Sequence, residues 1–161
     1  MQKHYTTVTT RSAAETKKIA SRIAKEIAEI TSDHARVIAL SGKLGAGKTT
    51  FTQGFARALG IAGPIQSPTF VLMKMYPLKR KRNLKHLIHI DAYRIETPHE
   101  TEQLGLEELL GGKDIVMLIE WADRIKKIVP KDAVWIKFAY GENSNKRIIQ
   151  VNMNNKKLEN E

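Results

Sequence analysis

Hydrophobic residues along this chain recur at two periods, and each change of period marks the start or end of an element. Tyr5-Thr6-Thr7-Val8 is β-branched and short, which predicts an edge strand. From Ser12 onward, Ile19, Ile23, Ile27 and Ile30 fall on one stripe flanked by Ala20, Ala24 and Ala28. That spacing predicts an amphipathic helix, opened by Ser12 with Glu15 three residues later as a capping box. Lys17, Lys18, Arg22, Lys25 and Glu26 lie off the stripe and read as a solvated face or as a basic face for RNA. Val37 to Leu40 is an unbroken apolar run, which predicts a buried strand. Phe51, Phe55, Ala58 and Leu59 return to helical spacing and stop at Gly60.

The pattern then becomes strand-like. Gly63-Pro64 marks a turn, Val71 to Tyr76 predicts a strand ended by Pro77, and Leu84 to Ile90 predicts another. Between them Lys79-Arg80-Lys81-Arg82-Asn83 makes a basic hairpin tip, read as a solvated turn or as a contact for a nucleic-acid backbone or an acidic protein patch. Thr97-Pro98 opens a helix whose Leu104, Leu106, Leu109 and Leu110 face a sheet, with Gly111-Gly112 at its end. Asp114 to Ile119 reads as a central strand covered on both faces. Residues 133–140 and 147–153 predict an antiparallel hairpin, and 154–161 a polar, frayed tail. The expected fold is therefore α/β: a P-loop NTPase-like three-layer arrangement, with a mainly parallel sheet, helices on both faces and a C-terminal antiparallel hairpin. A chain of 161 residues without repeats or an internal linker suits one domain spanning 1–161.

Candidate chemistry gathers where the predicted strands end. Gly42-Lys43-Leu44-Gly45-Ala46-Gly47-Lys48-Thr49 matches the phosphate-loop pattern G-x-x-x-x-G-K-[ST], with a strand before it and a helix after it. Glycines let the backbone curl so that successive N–H groups, from Gly42 through Leu44, Gly45, Ala46, Gly47 and on to Thr50, can surround a phosphate. The helix N-terminus adds its dipole to the same spot. Lys48 can reach β- and γ-phosphate oxygens, and the Thr49 hydroxyl can ligate Mg²⁺. Asp91 and Glu120 each follow an apolar strand, where ligands collect in open α/β sheets. Either acid can hold the hydration shell of Mg²⁺ or orient an attacking water, while a turn cap and a surface glutamate are the plain alternatives. Thr69 reads equally as a hydroxyl that senses Mg²⁺ and as a strand opener, and Trp121 as a contact to the nucleotide or as a packing residue. His89 reads as a base or ligand, or as a half-buried, satisfied strand histidine.

Charge and composition narrow the picture only a little. A net charge of +10 suits a polyanionic partner, and it also suits simple solubility. The absence of cysteine excludes disulfides, thiolate metal sites and cysteine nucleophiles. With no long apolar run and no signal-peptide layout, the expectation is a soluble, cytoplasmic protein without a membrane partner.

Four ordered segments carry a resemblance. Ser41 to Phe51, then Ser67-Pro68-Thr69-Phe70, then His89-Ile90-Asp91-Ala92-Tyr93-Arg94, then Leu118-Ile119-Glu120-Trp121 together resemble the TsaE family over about residues 8–150. The resemblance implies a small ATPase, weak alone, that supports threonylcarbamoyladenosine modification of tRNA beside the anticodon. It implies TsaD and TsaB homologues as partners, which stimulate it, with room for a tRNA contact inside that complex. It also implies Thr69 in a switch-like segment, Asp91 and Glu120 at the metal and catalytic centre, and Trp121 beside the nucleotide. Lys43 departs from the family, which usually carries an acid there. The mechanism expected is in-line attack of water on the γ-phosphate of ATP, with Lys48, Asp91 and Glu120 as the catalytic set and Thr49, Thr69, Asp91 and Glu120 as metal candidates. Two rivals stand beside it: a small-molecule P-loop kinase, and a nucleotide-bound RNA-binding module.

Overall fold

Why the apolar runs become strands is seen in how they pair. The computed structural model describes residues 5–68, 70–79 and 83–153. Thr69, the basic tip beyond Lys79 and the tail from 154 therefore lie outside the described residues. Among the described residues seven strands form one sheet, in the order β1-β7-β6-β2-β5-β4-β3. They are β1 Thr6–Thr10, β2 Arg36–Gly42, β3 Met73–Pro77, β4 His86–Asp91, β5 Ile115–Glu120, β6 Val134–Tyr140 and β7 Arg147–Val151. The four central strands, β6-β2-β5-β4, run parallel. Antiparallel pairing closes both edges: β7 and β1 on one side, β3 on the other. The C-terminal hairpin is as expected, and the β3–β4 hairpin adds a second antiparallel edge.

Alternation along the central strands builds two cores. Ile38, Leu40, Leu87, Val116, Leu118 and Ile136 face α1 (Ala13–Glu29) and α2 (Lys48–Ala58). Val37, Ala39, Ile88, Ile90, Met117 and Ile119 face the other layer, which includes Leu106, Ala122 and Ile125. That layer is made of α3 (Pro98–Gln103), α4 (Leu106–Leu110) and a short 3-10 turn, Ala122–Ile125. Burial on both faces is what fixes the parallel register, because a one-residue slip would exchange the two cores.

Several boundaries differ from the pattern, each for a local reason. The single helix expected after Thr97 is two, because Gly105 takes φ 66° and turns the chain between α3 and α4. Ile30, expected on the buried stripe of α1, is its C-cap in extended backbone and lies exposed. The α1 capping box is half conventional: Ser12 accepts from the Glu15 N–H at 3.1 Å, while the Glu15 carboxylate reaches the Arg11 N–H at 2.7 Å. Strand β3 starts at Met73, two residues late, because Leu72 has φ 62° and its N–H closes a turn onto Pro68 O. Among the described residues no helix is long and apolar enough to cross a membrane.

Candidate functional site

The carboxyl ends of β2, β4 and β5 meet the N-terminus of α2, and the predicted site residues converge there. In the Gly42–Thr49 loop, Gly42, Gly45 and Gly47 adopt φ of 144°, 75° and 112°. At Gly42 a Cβ would also sit 2.5 Å from the Phe138 carbonyl oxygen, so β6 leaves room for glycine alone. Ala46 is buried and pins the loop to the core under α2, while Lys43 and Leu44 project into solvent at the loop tip. Gly47 is the N-cap of α2 and supplies no side-chain cap, which leaves the first-turn N–H groups for a ligand.

Lys48 carries the unusual electrostatics. It is 5% exposed, and its ammonium donates to Gly42 O at 2.5 Å and to Lys43 O at 3.0 Å. The same ammonium lies 3.9 Å from the Trp121 ring centroid. Burial pushes its pKa below the usual lysine range, and the carboxylates of Glu120, Asp123 and Asp91 pull in the opposite direction. A desolvated cation is thus held on the carbonyls of its own loop, beside the two acids.

Opposite Lys48 stand the two acids. Glu120 is 2% exposed and accepts from the Thr49 hydroxyl at 3.0 Å, the Thr52 hydroxyl at 3.3 Å and His89 Nε2 at 2.9 Å. Asp91, also buried, accepts from the Ser67 hydroxyl and from the Tyr93 N–H at 3.0 Å. Residues 66–68 are thereby tied to the end of β4. Trp121 follows Glu120 in left-handed backbone, φ 57°, a strained conformation for an aromatic residue. Its ring packs on Tyr93 at 4.9 Å between centroids. Lys48, Thr49, Thr50, Asp91, Glu120 and Trp121 thus line one cleft of about 330 Å³ with Leu44, Gly45, Gly47, Ser67 and Tyr93. A second cleft of about 430 Å³ shares Gly45, Gly47 and Thr50 with the first and runs toward Arg11, Ser12, Ser144 and Arg147.

The donor set fits a hard cation. Thr49, Asp91 and Glu120 offer only oxygen, as Mg²⁺ requires. Among the described residues no three His, Asp or Glu side chains converge as a metal cage, so phosphate oxygens and water would have to complete the shell. Thr69, the fourth metal candidate, lies outside the described residues. Arg94 stacks on the exposed Phe70 ring, 5.0 Å from its centroid, and is not among the residues lining the cleft.

Some site residues have no signature in the pattern. The Tyr140 hydroxyl donates to Leu44 O, and Arg147 donates to Gly45 O at 3.3 Å while stacking on Tyr140. The β6–β7 hairpin therefore braces the Gly42–Thr49 loop from the side. Only the fold brings Ser67 and Thr52 to the acids. Trp121 lies at the Lys48 and acid end of the cleft, away from the Arg11 and Arg147 end.

Residues 10–149 match the family model described as threonylcarbamoyl adenosine biosynthesis protein TsaE. The tRNA threonylcarbamoyladenosine biosynthesis protein TsaE of Bacillus subtilis is 44% identical over 115 residues, covering 70% of this chain and 68% of that one. The TsaE of Rickettsia conorii is 34% identical over 149 residues, covering 92% of this chain and 78% of that one. Among solved structures, Bacillus subtilis YdiB superposes with a TM-score of 0.74 at 31% identity, covering 99% of this chain and 92% of that one.

Proposed function

Because the chain belongs to the TsaE family and so to tRNA threonylcarbamoyladenosine biosynthesis, we propose that it is a Mg²⁺-dependent ATPase acting in the cytoplasm with TsaD and TsaB homologues. The observation that carries the reading is the buried Lys48 ammonium, held on two loop carbonyls directly beside the acid-lined cleft. In this reading the β- and γ-phosphates enter the cleft, the loop N–H groups and the α2 N-terminus take their charge, and Lys48 leaves Gly42 O and Lys43 O to bind them. The nucleoside extends into the neighbouring cleft beyond Gly45 and Gly47.

Water then attacks the γ-phosphorus in line, the bond from that phosphorus to the β–γ bridging oxygen breaks, and ADP and phosphate leave. Thr49 offers its hydroxyl to the metal and is itself held by Glu120. The Asp91 and Glu120 carboxylates would hold Mg²⁺, and one of them aligns the attacking water and takes up its proton as the new P–O bond forms. Mg²⁺, when bound, offsets the charge that develops on the phosphate oxygens. Trp121 covers Lys48 and keeps water off the ammonium, which strengthens its pull on phosphate.

Slow turnover of the isolated chain follows from the lining of the cleft, which among the described residues includes no arginine. A partner is therefore expected to complete the charge balance. The test is ATP hydrolysis by the purified chain, alone and with a TsaD–TsaB pair, beside Lys48→Ala and Glu120→Ala variants. Slow turnover that rises with the pair and vanishes in both variants supports the reading. If the pair has no effect, the partner assignment fails. If Lys48→Ala hydrolyses like the unaltered chain, the assignment of the site fails.

A further inference from the structure

Asp91 and Glu120 are Cα partners on adjacent parallel strands, and both side chains belong to the sheet face that carries Leu87, Leu118 and α2. Two buried carboxylates placed side by side repel, so something must hold them apart. Asp91 is taken up by Ser67 and the Tyr93 N–H. Glu120 leans the other way, toward His89, which lies two residues back along β4 opposite Leu118. A two-residue step on one strand face is about 6.6 Å, enough to separate the two acids.

The imidazole is fully buried, and its Nε2 lies 2.9 Å from Glu120 Oε1. The Thr52 hydroxyl is the other donor near that oxygen. Its single proton has a shorter acceptor in Lys48 O, at 3.0 Å against 3.3 Å to Glu120. His89 is therefore the dependable donor to Oε1, which requires its proton on Nε2. Among the described residues its buried Nδ1 has no hydrogen-bond partner, a cost that packing alone would have avoided with a leucine.

We propose that His89 is a positioning residue: its Nε2–H holds the Glu120 carboxylate away from Asp91 and turns Oε2 toward Thr49, setting the spacing of the acids that receive Mg²⁺. The proposal rests on the Mg²⁺–ATP reading of the cleft. It concerns orientation and assigns no proton transfer to His89.

The test is calorimetric titration of ATP with and without Mg²⁺ into the unaltered chain, His89→Leu and His89→Gln. Leucine fills the space, whereas the glutamine amide restores an N–H near the Nε2 position. His89→Leu should keep its metal-free affinity for ATP and lose about 10–100-fold of the enhancement that Mg²⁺ confers, the range typical of residues that orient metal ligands. His89→Gln should regain most of it. An enhancement unchanged in His89→Leu, or lost equally in both variants, overturns the proposal and leaves the nucleotide reading standing. Failure of the unaltered chain to bind ATP at all removes that reading instead. A measurement on the unaltered chain guards against a variant that does not fold: nitrogen NMR should show His89 protonated at Nε2, with slow exchange of that proton. A ring protonated at Nδ1 overturns the proposal.

Discussion

The two ends of the parallel strands treat charge in opposite ways. At the amino ends, His34 bonds Asp33 at 2.6 Å and Asp132 at 2.7 Å, and Lys85 approaches Asp114 at 3.6 Å, with Asp33, Asp132 and Lys85 exposed and His34 and Asp114 half-buried. At the carboxyl ends, Lys48, Asp91, His89 and Glu120 are buried together. Exposed pairs contribute little to stability, while buried ones are expensive and are tolerated only where paired. Each end also holds one buried cation, and the pair is instructive. Arg36 donates to Ile30 O at 2.8 Å and Lys113 O at 2.9 Å, locking the end of α1 to the loop before β5. Lys48 donates to the carbonyls of its own loop. One cation ties two elements of the fold together, while the other is held within a single loop.

That contrast can be broken experimentally. Lys48→Met is expected to lower ATP turnover by ~100-fold or more, as loss of a fixed charge at a transition state does. Its effect on the unfolding midpoint should be smaller than that of the Arg36 change below. The two bonds of Lys48 stay within one loop, whereas those of Arg36 join separate elements, and the desolvation that depresses the Lys48 pKa offsets them. The sign of the pH dependence follows from proton counts: as a base with its folded pKa below its unfolded one, Lys48 binds more protons unfolded. Its contribution therefore raises stability as pH climbs through the folded value, and thermal melts at rising alkaline pH should lose that increment in Lys48→Met. Arg36→Met should do the reverse. Stability should fall by about 2 kcal/mol as two carbonyls lose their charged donor, with ATP affinity of the folded protein unchanged in calorimetry.

Smaller changes sharpen the comparison. Tyr140→Phe removes the hydroxyl that holds Leu44 O and should weaken ATP binding by less than about tenfold, the range for one neutral hydrogen bond. His34→Asn should have the smallest effect, and only through pH. Asp33 and Asp132 raise the His34 pKa above its ordinary 6.5, so its contribution is full below that value and fades as pH rises through the folded one. Denaturant melts from pH 6 to 8 should show a slightly shallower decline in the variant, with ATP binding untouched.

Much of the cleft at the carboxyl ends of the strands was legible because its signals are local. The loop from Gly42 to Thr49 needs glycine at fixed offsets, and Asp91 and Glu120 each sit one residue beyond an apolar run. What was hidden depends on contacts distant in sequence. Nothing near Tyr140 or Arg147 announces that they brace Leu44 and Gly45, about a hundred residues earlier. The break between α3 and α4 was masked because Leu104, Leu106, Leu109 and Leu110 keep an apolar face, while Gly105 alone turns the backbone. His89 was open between a base or ligand and a half-buried, satisfied strand residue; it is fully buried, with one nitrogen bonded and the other without a partner among the described residues. Alternation placed it on the face of Asp91, and only the pairing of β4 with β5 brought Glu120 within reach.

The central claim is that the cleft between Lys48 and the two acids takes the phosphates of ATP. Its most direct test is calorimetric titration of Mg²⁺–ATP into the purified chain, Lys48→Met and Arg36→Met. The account predicts saturable binding by the unaltered chain and by Arg36→Met, and loss of binding in Lys48→Met without loss of fold. Equal affinity in Lys48→Met and the unaltered chain would contradict it.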